Sequence, residues 1–323
     1  MGMILPLLYL GVGFGLAMLL PEHWGNRLKE SASALLTRWI IPTVIVYIVA
    51  TSRPELFFMA ASTMVLMALL VRCAAFFTND PVQRLALVYL NAGIFGIPVV
   101  ASFWGEEAVR LYVGAYIGNS VMGNILGTSL MRRETNTDGL TTSRAKPTRK
   151  AVTHKAAVGA VLRSLLTNRP IIAVAIGLIC LPAGPFLNTH AAGIYRLITW
   201  VFSFVGLMVL GMWLSTARLH RTDLTQALRW AVLRVVLVSV YSVGILTAAY
   251  WMHTHTGVHL EQLLAHPQVL FILGVLPPAA NIVILETHYR HEGTAAPIIA
   301  SGAVVSLGMI ALAVPILQLV FSN

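Results

Sequence analysis

Two asparagines, Asn91 and Asn281, each stand beside helix-breaking residues inside runs of sequence that are otherwise apolar. The first opens NAGIFGIPVV, residues 91–100, with Gly93, Gly96 and Pro98; the second follows Pro277 and Pro278 in LPPAANIVIL, residues 276–285. A carboxamide both donates and accepts, so either asparagine could hold a carboxylate or coordinate a cation. Proline removes a backbone donor and clashes with the carbonyl four residues back, and glycine weakens a helix further. In hydrocarbon a freed backbone group is costly, so such breaks persist only where they line a polar cavity or are packed by protein. A half-helix that begins at a break points N–H groups and partial positive charge into that cavity, which favours an anion. Gly93, Gly96, Ala279 and Ala280 are small enough to let two backbones approach closely. Kinking alone is the plainer use of Pro and Gly in a membrane helix, but two breaks at matching depth argue for a site.

Other residues are weaker candidates. Glu286 lies five residues beyond Asn281, and an ionisable residue within a span is a candidate proton carrier. Its plainer role is to reach the interface beside His288 and Arg290. Asn119 and Asn124, in GNSVMGNILG, do not share a helix face; one is expected to reach the cavity and the other to bond a neighbouring helix. The segment MHTHTGVHLEQLLAHP holds His253, His255, His259 and His266 with Glu261. His255 and His259 have helical zinc-ligand spacing, but Thr256–Gly257 interrupts them and no thiol joins, so a solvated loop is expected and no metal site. Cys73 and Cys180 lie in separate apolar segments and suggest neither a disulfide framework nor zinc. No phosphate-binding GxxxxGK[ST], GxSxG elbow, HExxH or catalytic carboxylate pair is present. The sequence therefore offers no ATP-driven pump, no enzyme centre and no resident cofactor.

The elements that must position these residues follow from composition. Of 323 residues 57% are hydrophobic and 11% charged, with mean hydropathy +0.79, the balance of a polytopic membrane protein. The opening MGMILPLLYLGVGFGLAMLL lacks a basic n-region and a cleavage site, and reads as a retained helix. At about 20 apolar residues per crossing, the chain offers ten spans: 3–20, 34–51, 55–73, 84–103, 109–131, 169–186, 194–216, 229–251, 267–287 and 296–320. The fourth and ninth carry the breaks. With the N-terminus outside, nineteen of the 22 Lys and Arg fall inside and only Arg53, Arg110 and Arg196 outside, so both termini are expected outside. The tryptophans mostly sit near span ends, as an interfacial belt requires.

Net charge is +10, but nine Lys and Arg between Arg132 and Arg169, opposed only by Glu134 and Asp138, supply most of it. A basic loop between spans reads as an anchor to anionic lipid and a topology signal in preference to a nucleic-acid surface. Its core, TNTDGLTTSRAKPTRK, is polar and expected to be mobile. The chain thus divides into 1–131, a cytoplasmic loop 132–168, and 169–323. Five spans on each side of one loop enter the membrane from opposite sides, the arithmetic of an inverted repeat. An offset of 186 residues lays NAGIFGIPVVASFWGEE on PPAANIVILETHYRHEG, with Asn91 over Pro277, Phe103 over Tyr289 and Glu106 over Glu292.

Three stretches carry a resemblance. NAGIFGIPVVASFWGEEAV, LPPAANIVILETHYRHEGTAA and NRPIIAVAIGL (168–178) resemble the fourth-span, ninth-span and mid-chain motifs of the auxin efflux carrier family of bacterial permeases and plant carriers. That family lies within the group of bile acid, arsenite and riboflavin transporter-like proteins. The resemblance implies an all-α membrane protein of ten transmembrane helices in two inverted five-helix repeats, divided into a scaffold and a transport domain. It implies that helices 4 and 9 cross at Pro98 and at Pro277 or Pro278, with Asn91 and Asn281 beside the substrate. Known substrates of the group are small organic anions: malate, malonate, lactate and auxin. Homodimerisation is implied in the same way. The sequence departs from the family at FVGLMVLGMWLS, where members commonly carry a proline before the glycine. It departs again at Glu286, often a small residue there, and at Arg290–His291, which replace a glycine-containing turn.

The expected function is secondary active transport, by alternating access, of a mono- or dicarboxylate across a bacterial inner membrane. The driving force would be a proton or sodium gradient or the membrane potential. The expected site comprises Asn91, Gly93, Gly96, Pro98, Asn119, Pro277, Pro278 and Asn281, with Glu286 as the ion-coupling candidate. The alternative is a non-transporting membrane sensor that signals through its cytoplasmic loop; an intramembrane enzyme and a histidine-based metal transporter are further rivals.

Overall fold

A computed structural model describes residues 4–51, 54–141, 169–216, 221–258, 260–290 and 294–321. All regular structure among them is helical, apart from one isolated two-residue backbone bridge. The protein is all-α, with the apolar helices of a membrane protein. Among the described residues five helices are long and apolar enough to cross a bilayer: Glu22–Ala50, Glu55–Phe77, Ala192–Trp213, Arg221–Thr256 and Ala295–Phe321. A sixth is added if Arg169–Ile179 and Leu181–His190, bent by 60°, count as one.

In chain order, α1 is Ile4–Leu19, and α2 (Glu22–Leu35) runs through a wide π turn at Leu36–Ile40 into α3 (Ile41–Ala50). Then come α4 (Glu55–Phe77) and α5 (Pro81–Val88), followed by a π segment, Ala92–Gly96, that leads into α6 (Ile97–Thr141). The second half holds α7 (Arg169–Ile179), α8 (Gly184–His190), α9 (Ala192–Thr216) and α10 (Arg221–Thr256). It continues with α11 (Glu261–Ala265), α12 (Gln268–Phe271), a 3-10 turn at Ile272–Val275, α13 (Asn281–Tyr289) and α14 (Ala295–Phe321). The span expected at 109–131 lies within α6, which bends at Gly105, where φ is +78°. Only glycine adopts that conformation without strain, so one residue turns the chain from the fourth expected span into the fifth. Helix α6 continues to Thr141, so the first residues of the expected loop are helical; propagating a helix already formed costs little. Residues 142–168, the rest of that loop, lie outside the described residues, as does Glu292.

The helices fall into two packing groups. In one, α1 lies along α9 and α3 along α7; in the other, α4 lies along α6 and α10 along α14. The broken segments of the fourth and ninth expected spans belong to the second group, where α5 touches α4, α6 and α14, and α13 touches α5, α6 and α14. Close approach rests on glycine. A Cβ on Gly13 would fall 1.8 Å from the Met208 carbonyl oxygen, and one on Gly211 would fall 2.0 Å from that of Leu10. A Cβ on Gly114 or Gly118 would likewise strike the backbone of α4, at Leu56 or Ala60.

Since backbone cannot step aside as a side chain can, Gly211→Val should separate α1 from α9 and cost about 1–3 kcal/mol or more. Heat denaturation in detergent should show a lowered midpoint, whereas Gly15→Val, with open space around it, should leave the midpoint unchanged.

Candidate functional site

The two broken segments meet. Chain direction changes at Tyr89, whose backbone is extended (φ −88°, ψ 109°), and again at Leu276 (φ −70°, ψ 149°). Between these points Leu90 and Pro278 form an antiparallel bridge, with Asn91 N–H donating to the Pro277 carbonyl at 2.8 Å and Ala279 N–H to that of Tyr89 at 2.8 Å. In that register Asn91 stands across from Pro277, the same pair that the 186-residue offset superposes.

Each break leaves backbone groups that no helix can satisfy, and specific side chains take them up. Asn119, on α6 and 1% exposed, accepts from Leu90 N–H through Oδ1 at 3.0 Å and donates to the Leu90 carbonyl through Nδ2 at 2.8 Å. The Gly274 carbonyl would normally receive an N–H three or four residues on, but those residues are Pro277 and Pro278. Arg234 supplies the missing donor, Nε to Gly274 O at 3.0 Å, and its Nη1 reaches Ala86 O at 3.4 Å. The α-helical donor to Ala86 would have been Leu90 N–H, which Asn119 holds instead. One fully buried guanidinium on α10 thus serves orphaned carbonyls of both broken segments. Arg234 had counted as a charge marking the inner face; it lies well inside a helix, and its role depends on a contact across 40 and 148 residues of sequence.

The expected crossing at Pro98 is displaced. Leu90 and Asn91, not Pro98, meet Pro277–Ala279. Pro98 lies two residues into α6, directly after the π segment, whose wider turn accommodates the ring against the carbonyl four residues back. It packs on α9 at Gly206, where a Cβ would approach Pro98 Cγ to 2.5 Å. Pro278 meets Gly302 of α14 in the same manner, at 2.6 Å from Cδ. Gly96 makes room for Tyr112, whose hydroxyl donates to the Ala92 carbonyl at 3.1 Å, and Gly93 makes room for the Tyr116 ring.

A cavity of about 230 Å³ lies against this crossing. Asn91, Gly93, Asn119 and Asn281 line it, while Gly96, Pro98, Pro277 and Pro278 are not among its lining residues. Asn281 Nδ2 donates to the buried Tyr89 hydroxyl at 3.0 Å. Asn119 spends its amide on Leu90, and Asn124 donates to the Ser120 carbonyl of its own helix at 2.7 Å. The Asn91 side chain has no hydrogen-bond partner among the described residues. Tyr116, Ser120 and Thr37 add hydroxyls, and Arg169, the first residue of α7, adds a guanidinium at the rim. In the sequence Arg169 is the last cation of the basic stretch. Its signal was its place: it adjoins Pro170 at the mouth of an apolar span, not among the polar residues of the loop.

Glu286 stands away from the cavity. It is fully buried, and its carboxylate accepts from Thr294 N–H at 2.9 Å, from the Thr294 hydroxyl, and from Ala295 N–H at 2.9 Å. These bonds cap the N-terminus of α14, where the helix dipole favours negative charge. Asp80 similarly caps α5 through Val82 N–H at 3.2 Å and pairs with Arg290 at 2.9 Å, tying the start of one broken segment to the end of the other.

Near the start of the fifth expected span, Arg110 of α6 donates to Glu106 at 2.9 Å and to Thr51 at 3.0 Å. Its guanidinium lies 5.5 Å from the rings of both Tyr47 and Tyr195, which stack at 4.1 Å. Thr51, Tyr47 and Tyr195 belong to the first packing group and Arg110 to the second, so this cluster joins the two. Among the described residues no group of three or more His, Cys, Asp or Glu could hold a metal ion; His259 lies outside them.

No family model matches this chain, and no curated protein sequence matches it.

Replacing Asn119 by Leu removes both partners of Leu90 and should cost about 2–6 kcal/mol, at ~1–3 for each unmet buried group. Asn91→Ala removes no bond within the fold and should leave the melting midpoint unchanged. Parallel thermal melts of the two purified variants check this contrast. Glu286→Ala should also lower the midpoint, by exposing the first turn of α14 as an uncapped end.

Proposed function

We propose that the protein is a secondary active transporter of small organic anions, operating by alternating access at the crossing of the two broken segments. The observation that carries this reading is the pair of breaks itself. Two interrupted apolar segments trade backbone hydrogen bonds beside a polar cavity whose walls present carboxamides, hydroxyls and one cation. A merely structural kink needs neither a partner kink nor a cavity, whereas substrate sites in such carriers are built from discontinuous helices at the repeat interface.

The packing supports the ten-helix inverted repeat. Exchanging the two halves turns the α1–α9 pair into the α7–α3 pair, and the α4–α6 pair into the α10–α14 pair. The first packing group would then be a scaffold and the second a transport domain that carries the crossing. The Arg110 cluster joins the same two groups beside a second cavity of about 170 Å³. The crossing's own cavity lies toward the end of the bundle where α7 begins, the basic-loop side. In a bacterial inner membrane with both termini outside, that side is the cytoplasm, and the loop would rest on anionic lipid. The lining favours a mono- or dicarboxylate over a cation, since its only charged residue among those described is Arg169. Membership of the auxin efflux carrier family, with the homodimer it implies, belongs to this proposal. Coupling to protons or sodium remains part of it, with Glu286 as candidate; its three bonds to the start of α14 would make its protonation a change in that helix cap.

Reconstituted into liposomes, the protein should take up labelled malate, malonate or lactate with saturable kinetics. Asn91→Ala and Asn281→Ala should each lower the flux severalfold while inserting normally. Absence of saturable flux of any organic anion, with folded protein verified, overturns the proposal.

A further inference from the structure

We infer that Arg169 is the charge-recognition residue of the cavity and that it fits the site to a substrate with a single carboxylate. This inference rests on the transporter reading above and specifies its substrate.

The cavity's charge inventory is short. Among the described residues sixteen line it, and of these Arg169 alone is charged. Among the described residues nothing pairs with its exposed guanidinium, by hydrogen bond, ion pair or ring contact. A planar fork with five donors matches a carboxylate in bidentate fashion. The same cavity is lined by the Asn91 carboxamide, which has no partner within the described fold, and by Asn281, one of whose N–H groups Tyr89 does not use. The N–H groups of Ala92, Gly93 and Ile94 begin a helical segment and have no preceding turn to bond. Together with the guanidinium these donors can meet one carboxylate.

A second carboxylate cannot be met in this way. Beyond Arg169 the described lining residues offer only neutral groups, and Ile41, Ala279 and Ala280 add apolar wall. A second negative charge placed against them would lose part of its hydration without a countercharge, which is unfavourable. The volume, about 230 Å³, admits a compact hydroxy or oxo acid.

The location of Arg169 also gives it a task. It stands on α7, which packs along α3 in the first group, whereas Asn91 and Asn281 belong to the crossing in the second. A carboxylate held by both would bridge the two groups across their interface. Separation of the groups then breaks the bidentate pair and frees the anion, so the arginine recognises substrate on one side of the cycle only.

The test compares two three-carbon probes, lactate and malonate, by binding to detergent-solubilised protein and by flux in liposomes. Wild type should bind lactate more tightly than malonate. Arg169→Gln should raise the lactate Kd about tenfold or more, as expected for loss of a charged hydrogen-bond partner. Arg169→Lys should fall between the two, because it keeps the charge and loses the fork. All three should melt together, since the guanidinium holds nothing in the described fold. An Arg169→Gln Kd within twofold of wild type, or malonate bound as tightly as lactate, overturns this inference and leaves the transporter reading intact. Absence of saturable flux of any carboxylate through wild type overturns both.

Discussion

A peptide group in hydrocarbon must be hydrogen-bonded by protein, and the rest of this fold follows from how that rule is met where two helices stop. Ordinary spans satisfy it internally. At Tyr89–Asn91 and Leu276–Ala280 the helical ladder fails, and the replacements come from three directions. The two breaks bond to each other, Asn119 takes both polar groups of Leu90, and Arg234 takes the carbonyls stranded at Gly274 and Ala86. Each replacement requires a helix to pass close by, so α6 and α10 are fixed by the breaks as much as the breaks are held by them. A buried arginine with no carboxylate beside it among the described residues is an expensive device. Two otherwise unbonded carbonyls in an apolar interior are what make it worthwhile.

From this constraint the division into two packing groups follows. The crossing is tied into its own group by side-chain bonds, by Pro278 on Gly302 and by the Asp80–Arg290 pair across its ends. Its contacts with the other group are of a different kind. Pro98 lies in the notch of Gly206, and the Arg110 cluster combines one hydroxyl bond and two ring faces with a long, mostly exposed Arg196–Glu106 ion pair at 3.8 Å. Bonds that satisfy stranded backbone cannot be given up without a large cost, whereas ring contacts and a van der Waals notch can be. The interface between the groups is therefore where relative movement would be least expensive.

Much of this was legible in the sequence, for a definite reason. Proline and glycine act on backbone locally, so NAGIFGIP and LPPAAN mark the interruptions without any knowledge of the fold. The 186-residue offset even selects the pair, Asn91 and Pro277, that the bridge sets face to face. What was not legible depends on distance along the chain. Pro98 looked like the breaking residue because its ring forbids an ordinary α turn; the π turn before it removes the conflict and moves the break to Tyr89–Asn91. Arg234 read as an inner-face charge, since nothing near it in sequence shows that Pro277 and Pro278 will strand a carbonyl beside it. Glu286 reads in the sequence as a carboxylate reaching the interface or, less plainly, a proton carrier, and its donors at Thr294 and Ala295 lie beyond a turn whose course the sequence does not fix. Asn119 and Asn124 were indistinguishable by type, and only the approach of Leu90 separates them.

The two breaks are related in register yet unequal in chemistry, and one atom explains the difference. If the pairing were fully reciprocal, the N–H of residue 277 would donate to the Asn91 carbonyl, mirroring the bond from Asn91 N–H to Pro277 O. Proline has no such hydrogen. The Asn91 carbonyl turns instead to Gly96 N–H, at 3.2 Å, which is the wide π spacing that opens the following segment. That leaves Ala92, Gly93 and Ile94 at the cavity wall with the leading N–H groups of a helical segment. In the second half, Ile282 and Val283 bond back to Ala279 and Ala280 at 3.1 Å, so the corresponding donors of α13 are already used. Free backbone donors at the cavity thus come from the first break, while the second contributes a side chain, Asn281. A proline in one segment, by lacking a proton, leaves the crossing with its unbonded N–H groups on one side.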